Sequence, residues 1–189
     1  MTPFEYITLL TSIVIALGIT RILSGLGQIL RNRNALQHYW VHLLWMANVL
    51  LWLLLNWWIL YRWRAFEQWN FFLFLFVLVS PTIGFLLSVL LIPEPLGSGL
   101  DLKRHFYQNT RWFFSLAALL PPLDAVDTLL KGQAHFAAQG PFYVITLSLV
   151  FVLCLIGALT KNERFHAAFA VFFLLYLLAF ISVNLLLLV

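Results

Sequence analysis

The sequence predicts an all-α, polytopic membrane protein, a bundle of six transmembrane helices built as three hairpins with kinks in the third and fourth. Three observations carry this expectation. Six apolar runs occupy nearly all of the 189 residues. Hydrophobic residues make up 63% of the chain and charged residues 10%, a composition suited to lipid as solvent. Each run also approaches the ~20 residues that cross a ~30 Å hydrocarbon core. The longest stretch between runs, around residues 93–111, is too short to bury a core of its own, so residues 1–189 read as a single integral membrane domain. Its helices are expected near residues 6–30, 39–61, 69–92, 101–130, 141–160 and 166–189.

The first span follows Met1-Thr2-Pro3-Phe4-Glu5, which carries no basic residue. It also outruns the ~7–15 apolar residues of a secretory signal, so it is expected to remain as a helix. Helical spacing gathers Thr11, Gly18, Arg21, Gly25 and Gln28 on one face, with Ser24 at its edge. The glycines admit a neighbouring helix closely, and the polar groups need partners that lipid tails do not supply. Arg21 lies ten residues from Arg31, which places it roughly 15 Å above the nearer boundary. An arginine at a helix centre costs about 2.5–3.5 kcal/mol, so the fold is expected to neutralise it. Depth selects two partners: Asp124, thirteen residues beyond Arg111, or Asn48 on the second helix, with Asn56 farther outward. The expected intramembrane polar site is therefore Arg21, Asn48, Asn56, Asp124 and Asp127.

On the second span His38 and His42 are one turn apart, on a face continued by Trp45, Val49, Trp52 and Asn56. With His105 and His166 they place four histidines at one side of the membrane. Imidazole binds metal or haem iron, and an i,i+4 pair shares a metal readily. Haem b or a metal at His38, His42, His105 and His166 is thus one reading; a structural role is the other and ranks first. The helix lacks the glutamate of a zinc-protease pair, and no cysteine or carboxylate cluster accompanies it.

The third span contains Ser80-Pro81-Thr82, and Pro93, Pro95, Gly97 and Gly99 then break it before Asp101 caps a new helix. Leu102, Phe106 and Tyr107 are expected at the interface, with Lys103, Arg104 and Arg111 turned to lipid head groups. Pro121-Pro122 interrupts the fourth span, and each proline frees a carbonyl that must be satisfied within the bundle. Asp127 lies one turn beyond Asp124, near Lys131. The fifth span holds Cys154, whose solitude excludes an intrachain disulfide.

The turns set the orientation. Arg31, Arg33, Lys103, Arg104, Arg111, Lys161 and Arg164 flank the first, third and fifth, against Arg62, Arg64 and Lys131 at the others, which puts both termini outside. A bacterial inner membrane is the working assignment. Arg33 leads to His38-Tyr39-Trp40, Arg104 to His105-Phe106-Tyr107 and Arg164 to Phe165-His166, which reads as an interfacial belt or as a tandem hairpin repeat. The net charge of +4 is dispersed among the turns, so membrane lipids are the expected partners and nucleic acid is not.

No catalytic set stands out: Ser80, Ser115 and Ser148 lack a nucleophile context. Three functions are ranked. A channel or transport protein, acting as a homo-oligomer, uses the intramembrane charges and broken helices. A non-catalytic subunit or scaffold among other membrane subunits uses only the packing face. A haem- or quinone-binding redox protein uses the histidines and the tryptophan-rich second helix.

Overall fold

The computed structural model describes residues 2–34, 36–66, 68–93 and 101–184. They form helices α1 (Pro3–Arg31), α2 (Trp40–Leu60), α3 (Phe71–Leu91), α4 (Leu102–Ala117), α5 (Leu120–Leu130), α6 (Gln133–Ala138), α7 (Pro141–Leu159) and α8 (Glu163–Asn184), with a 3-10 turn at Tyr61–Ala65. Six helical stretches are long and apolar enough to cross a membrane, α4 and α5 together making the fourth. These spans make the chain an integral, multi-pass membrane protein. Pro95, Gly97 and Gly99, the expected breakers of the third turn, lie outside the described residues.

Helix ends follow local chemistry. Thr2 and Glu5 form a reciprocal capping box at the start of α1. Asn70 caps α3 through Leu73 N, and Asp101 caps α4 by accepting from Lys103 N and Arg104 N. Asn162 Oδ1 accepts from Arg164 N and Phe165 N at the start of α8. The α-helix continues through Pro81, whereas the fourth span is interrupted at Ala118-Leu119 just before Pro121 and Pro122.

Helix α1 buries Ile7, Thr11, Ile15, Gly18, Ile22, Gly25 and Ile29, a stripe at three- and four-residue spacing. Arg21 and Gln28 are half-buried beside it, and Ser24 is exposed. The stripe packs most extensively on α3, where the glycines allow close approach: a Cβ on Gly25 would stand 2.3 Å from Ile92 Cδ1. Other leading contacts join α4 to α7 and α2 to α8. The sequential pairs α1/α2 and α3/α4 also pack, but α7 and α8 touch only slightly, so the larger interfaces join helices outside the expected hairpins.

At the centre Trp45 meets Phe113, Phe114 and Phe169 edge-on, with ring centroids 5.4, 5.1 and 5.2 Å away. Such pairs contribute about 0.5–1.5 kcal/mol each. In lipid, where apolar burial between helices gains little, this close packing of aromatic and small residues is the cohesive term. Large apolar side chains such as Leu9, Leu17, Phe72, Phe142 and Leu175 project outward.

Candidate functional site

The polar side chains fall into two layers. The first surrounds the C-terminus of α3, whose last carbonyls have no helical donor. His105 Nε2 approaches Leu90 O at 3.1 Å, His42 Nε2 approaches Leu91 O at 2.7 Å, and Arg21 Nη2 donates to Ile92 O at 3.3 Å. Three consecutive carbonyls thus receive donors from α4, α2 and α1. A carbonyl only accepts, so both imidazoles carry a proton on Nε2. The same device recurs nearby, with His38 donating to Arg33 O and His166 to Thr160 O. The repeated pairing of histidine with a turn is therefore a repeated cap on main-chain oxygen.

This layer corrects the expected pairing of Arg21. Asn48, fully buried, donates to Ala170 O of α8, and Asp124 accepts from Tyr143 of α7. Among the described residues no ion pair joins Arg21 to Asp124. The reason is depth. Helix α1 overshoots the end of α3, so Arg21 lies one turn from the level of Ile92, where Gly25 packs, rather than ten residues from a boundary at Arg31. His105 marks the same level on α4, and Asp124 is nineteen residues farther on, about 28 Å along the helix axis. That separation is nearly the ~30 Å thickness of the hydrocarbon core.

The histidines do approach one another in part. The rings of His42 and His105 stand 5.9 Å apart, and His166 stacks on Phe114 at 5.3 Å. Their Nε2 atoms are engaged by carbonyls, leaving Nδ1 as the nitrogen with a free lone pair on His42 and His166. Haem or metal ligation would have to use Nδ1. Among the described residues, no three histidine, cysteine, aspartate or glutamate side chains are grouped to hold an ion.

The expected head-group contacts divide as well. Arg104 and Arg111 are exposed, while Lys103 pairs with Glu163 of α8 at 2.5 Å. That pair is open to solvent and ties α4 to α8 only weakly.

The second layer lies near the opposite end, around a cavity of about 170 Å³. Its walls are aromatic and aliphatic, including Trp45, Trp52, Phe173 and Tyr176, and its polar part is Asn56, Ser80, Asp124, Asp127 and Lys131. Asn56 Nδ2 donates to Ser80 Oγ at 3.1 Å. Asp127 accepts from Trp63 Nε1 at 2.9 Å and pairs with Lys131, which also lies 4.9 Å from the Trp63 ring centre. Thr128 Oγ1 lies 2.8 Å from the Tyr143 hydroxyl, which donates onward to Asp124 Oδ2 at 2.8 Å. The Tyr143 proton is committed to Asp124, so Thr128 supplies the proton of the first contact.

Three of the five expected intramembrane residues, Asn56, Asp124 and Asp127, therefore share one cavity, and Arg21 and Asn48 lie elsewhere. The sequence reading missed Trp63 and Tyr143 as partners. Tyr143 opens the fifth span where the fourth closes, so counting both helices from their shared turn signals its proximity to Asp124. Comparison with family models, characterised proteins and solved structures finds no match to this chain, so its chemistry is read from this geometry alone.

Proposed function

We propose that this chain is a small membrane transport protein whose solute site is the aromatic cavity with Asn56, Asp124 and Asp127 at its polar part. The supporting observation is convergence: side chains from α2, α3, α4, α5, α7 and α8 line one space, and the fourth span is interrupted beside it. Ionisable groups facing the interior of a bundle are costly in lipid and commonly mark a solute path. Broken spans supply the exposed backbone and the hinge that such a path requires. Arg21 belongs in this reading to the capped end of α3 and not to the solute site. Self-association remains part of it, since six helices of this size leave little room for a wide pore in one protomer.

Water access to the cavity tests the proposal. In a Cys154→Ser background, Asn56→Cys and Ser80→Cys are expected to react with a charged, membrane-impermeant thiol reagent, and Leu86→Cys on the outer surface of α3 is not. Silence at both cavity positions, with a reactive control at Phe66→Cys, would refute the transport reading in favour of a non-catalytic subunit. A visible absorption band from the purified protein would favour the haem reading.

A further inference from the structure

We propose that the cavity binds a small aryl-alkyl ammonium ion, its charged nitrogen at Asp124 and its ring among Trp45, Trp52, Phe173 and Tyr176. This rests on the transport reading and specifies its solute class.

Size comes first. A space on the order of 150 Å³ suffices for benzene, and the cavity measures about 170 Å³, enough for one ring and a short polar arm. The second consideration is the balance of donors and acceptors. Asp127 is paired with Lys131 and held by Trp63, whereas the direct side-chain partner of Asp124 among the described residues is the neutral Tyr143 hydroxyl. Lys131 and Arg62 both act on Asp124 electrostatically, but neither forms an ion pair with it among the described residues, and Arg62 stands outside the cavity lining. Pro81 and Pro121 have no amide proton, so the carbonyls of Val77 and Ala117, four residues earlier, lack their helical donors; both residues line the cavity. The site is thus rich in acceptors and carries one carboxylate beyond its internal ion pair.

The aromatic walls complete the recognition. Indole and phenol faces attract an organic cation, and desolvation strengthens that attraction. An anion meets the reverse: Asp124 repels it, and Lys131 is already engaged.

Calorimetric titration of the whole protein in lipid nanodiscs, with empty nanodiscs as reference, provides the test. Phenethylamine is expected to bind saturably, and Asp124→Asn to weaken it at least tenfold, while 3-phenylpropionate does not bind. The discrimination between phenethylamine and 3-phenylpropionate is read on the unmodified protein and stands even where Asp124→Asn fails to fold. Equal binding of 3-phenylpropionate, or unchanged phenethylamine binding in folded Asp124→Asn, overturns the cation assignment. Absence of phenethylamine binding while Asn56→Cys and Ser80→Cys still react with the thiol reagent also overturns it and leaves the transport reading intact; unreactive cavity cysteines overturn the transport reading.

Discussion

Replacing His42 with Phe isolates the capping interaction at the end of α3. His42 is fully buried and reaches Leu91 O at 2.7 Å, the shortest of the three contacts described at this helix end. Phenylalanine keeps a ring in the same space but removes the donor, leaving a buried carbonyl unsatisfied at a cost of about 1–3 kcal/mol. One compensation works the other way: His42 Nδ1 is itself buried without a partner, and that penalty vanishes with the imidazole. The net destabilisation is therefore expected in the lower part of the range, about 1–2 kcal/mol. His105→Phe should cost less, because its contact is longer at 3.1 Å and its ring only half-buried. The two effects should not add, since the carbonyls are adjacent and share a helix end. Unfolding in detergent, followed by tryptophan emission, measures both variants and the double substitution. A change in His42→Phe within ±0.5 kcal/mol, the range of an inconsequential surface substitution, would refute the capping argument.

Gly25→Ala should destabilise by about 1–3 kcal/mol, because its Cβ would stand 2.3, 2.8 and 2.9 Å from three atoms of Ile92, whose whole side chain must then move. Gly27→Ala, with nothing within 4 Å of the added carbon, should be neutral or slightly stabilising, and thermal melts of the pair measure the contrast. His135, on the short helix α6, has its pKa lowered from 6.5 by desolvation, then by Lys131 and Arg62. Because the folded value lies below the unfolded one, its contribution is intact above pH 6.5 and is lost as acidification passes toward the folded value. An NMR titration of the ring should show that lower midpoint, and His135→Asn should flatten the acid limb of the stability profile. Single cysteines at Asn34 and Gly99 should label from the cytoplasmic side and those at Phe66 and His135 from outside, the reverse pattern inverting the orientation.

The residues that sequence reasoning placed well and those it misplaced differ in a physical way. Periodicity is a property of one helix, so the burial of Thr11, Gly18 and Gly25 on one face of α1 follows from spacing, whereas Arg21 and Gln28, expected on that face, are half-buried beside it and Ser24, expected at its edge, is exposed. Asp101 as the cap of α4 is equally local. Depth, by contrast, is a relation between helices and needs a shared origin. Arg31 and Arg111 served as that origin, yet α1 runs past the end of α3, and α4 starts nine residues before Arg111. The errors act in opposite directions: Arg21 is shallower and Asp124 deeper than expected, which separates a pair the sequence had joined.

The histidines show the same distinction at a smaller scale. Their clustering at one side is legible because each follows a turn, but their partners are backbone atoms, which carry no mark in sequence. Any helix that ends inside protein and away from water leaves carbonyls that need donors, and the donors must come from helices whose ends reach the same level. Here Arg21, His42 and His105 come from three helices and meet three successive oxygens. The capped end of α3 therefore fixes the relative heights of α1, α2 and α4. That alignment leaves Asn56, fourteen residues beyond His42, and Asp124, nineteen beyond His105, at the far layer. The basic layer thus bears on the far polar layer through helix register, and loosening it should disturb Asn56 and Asp124, roughly 20–30 Å farther along their helices, without touching either.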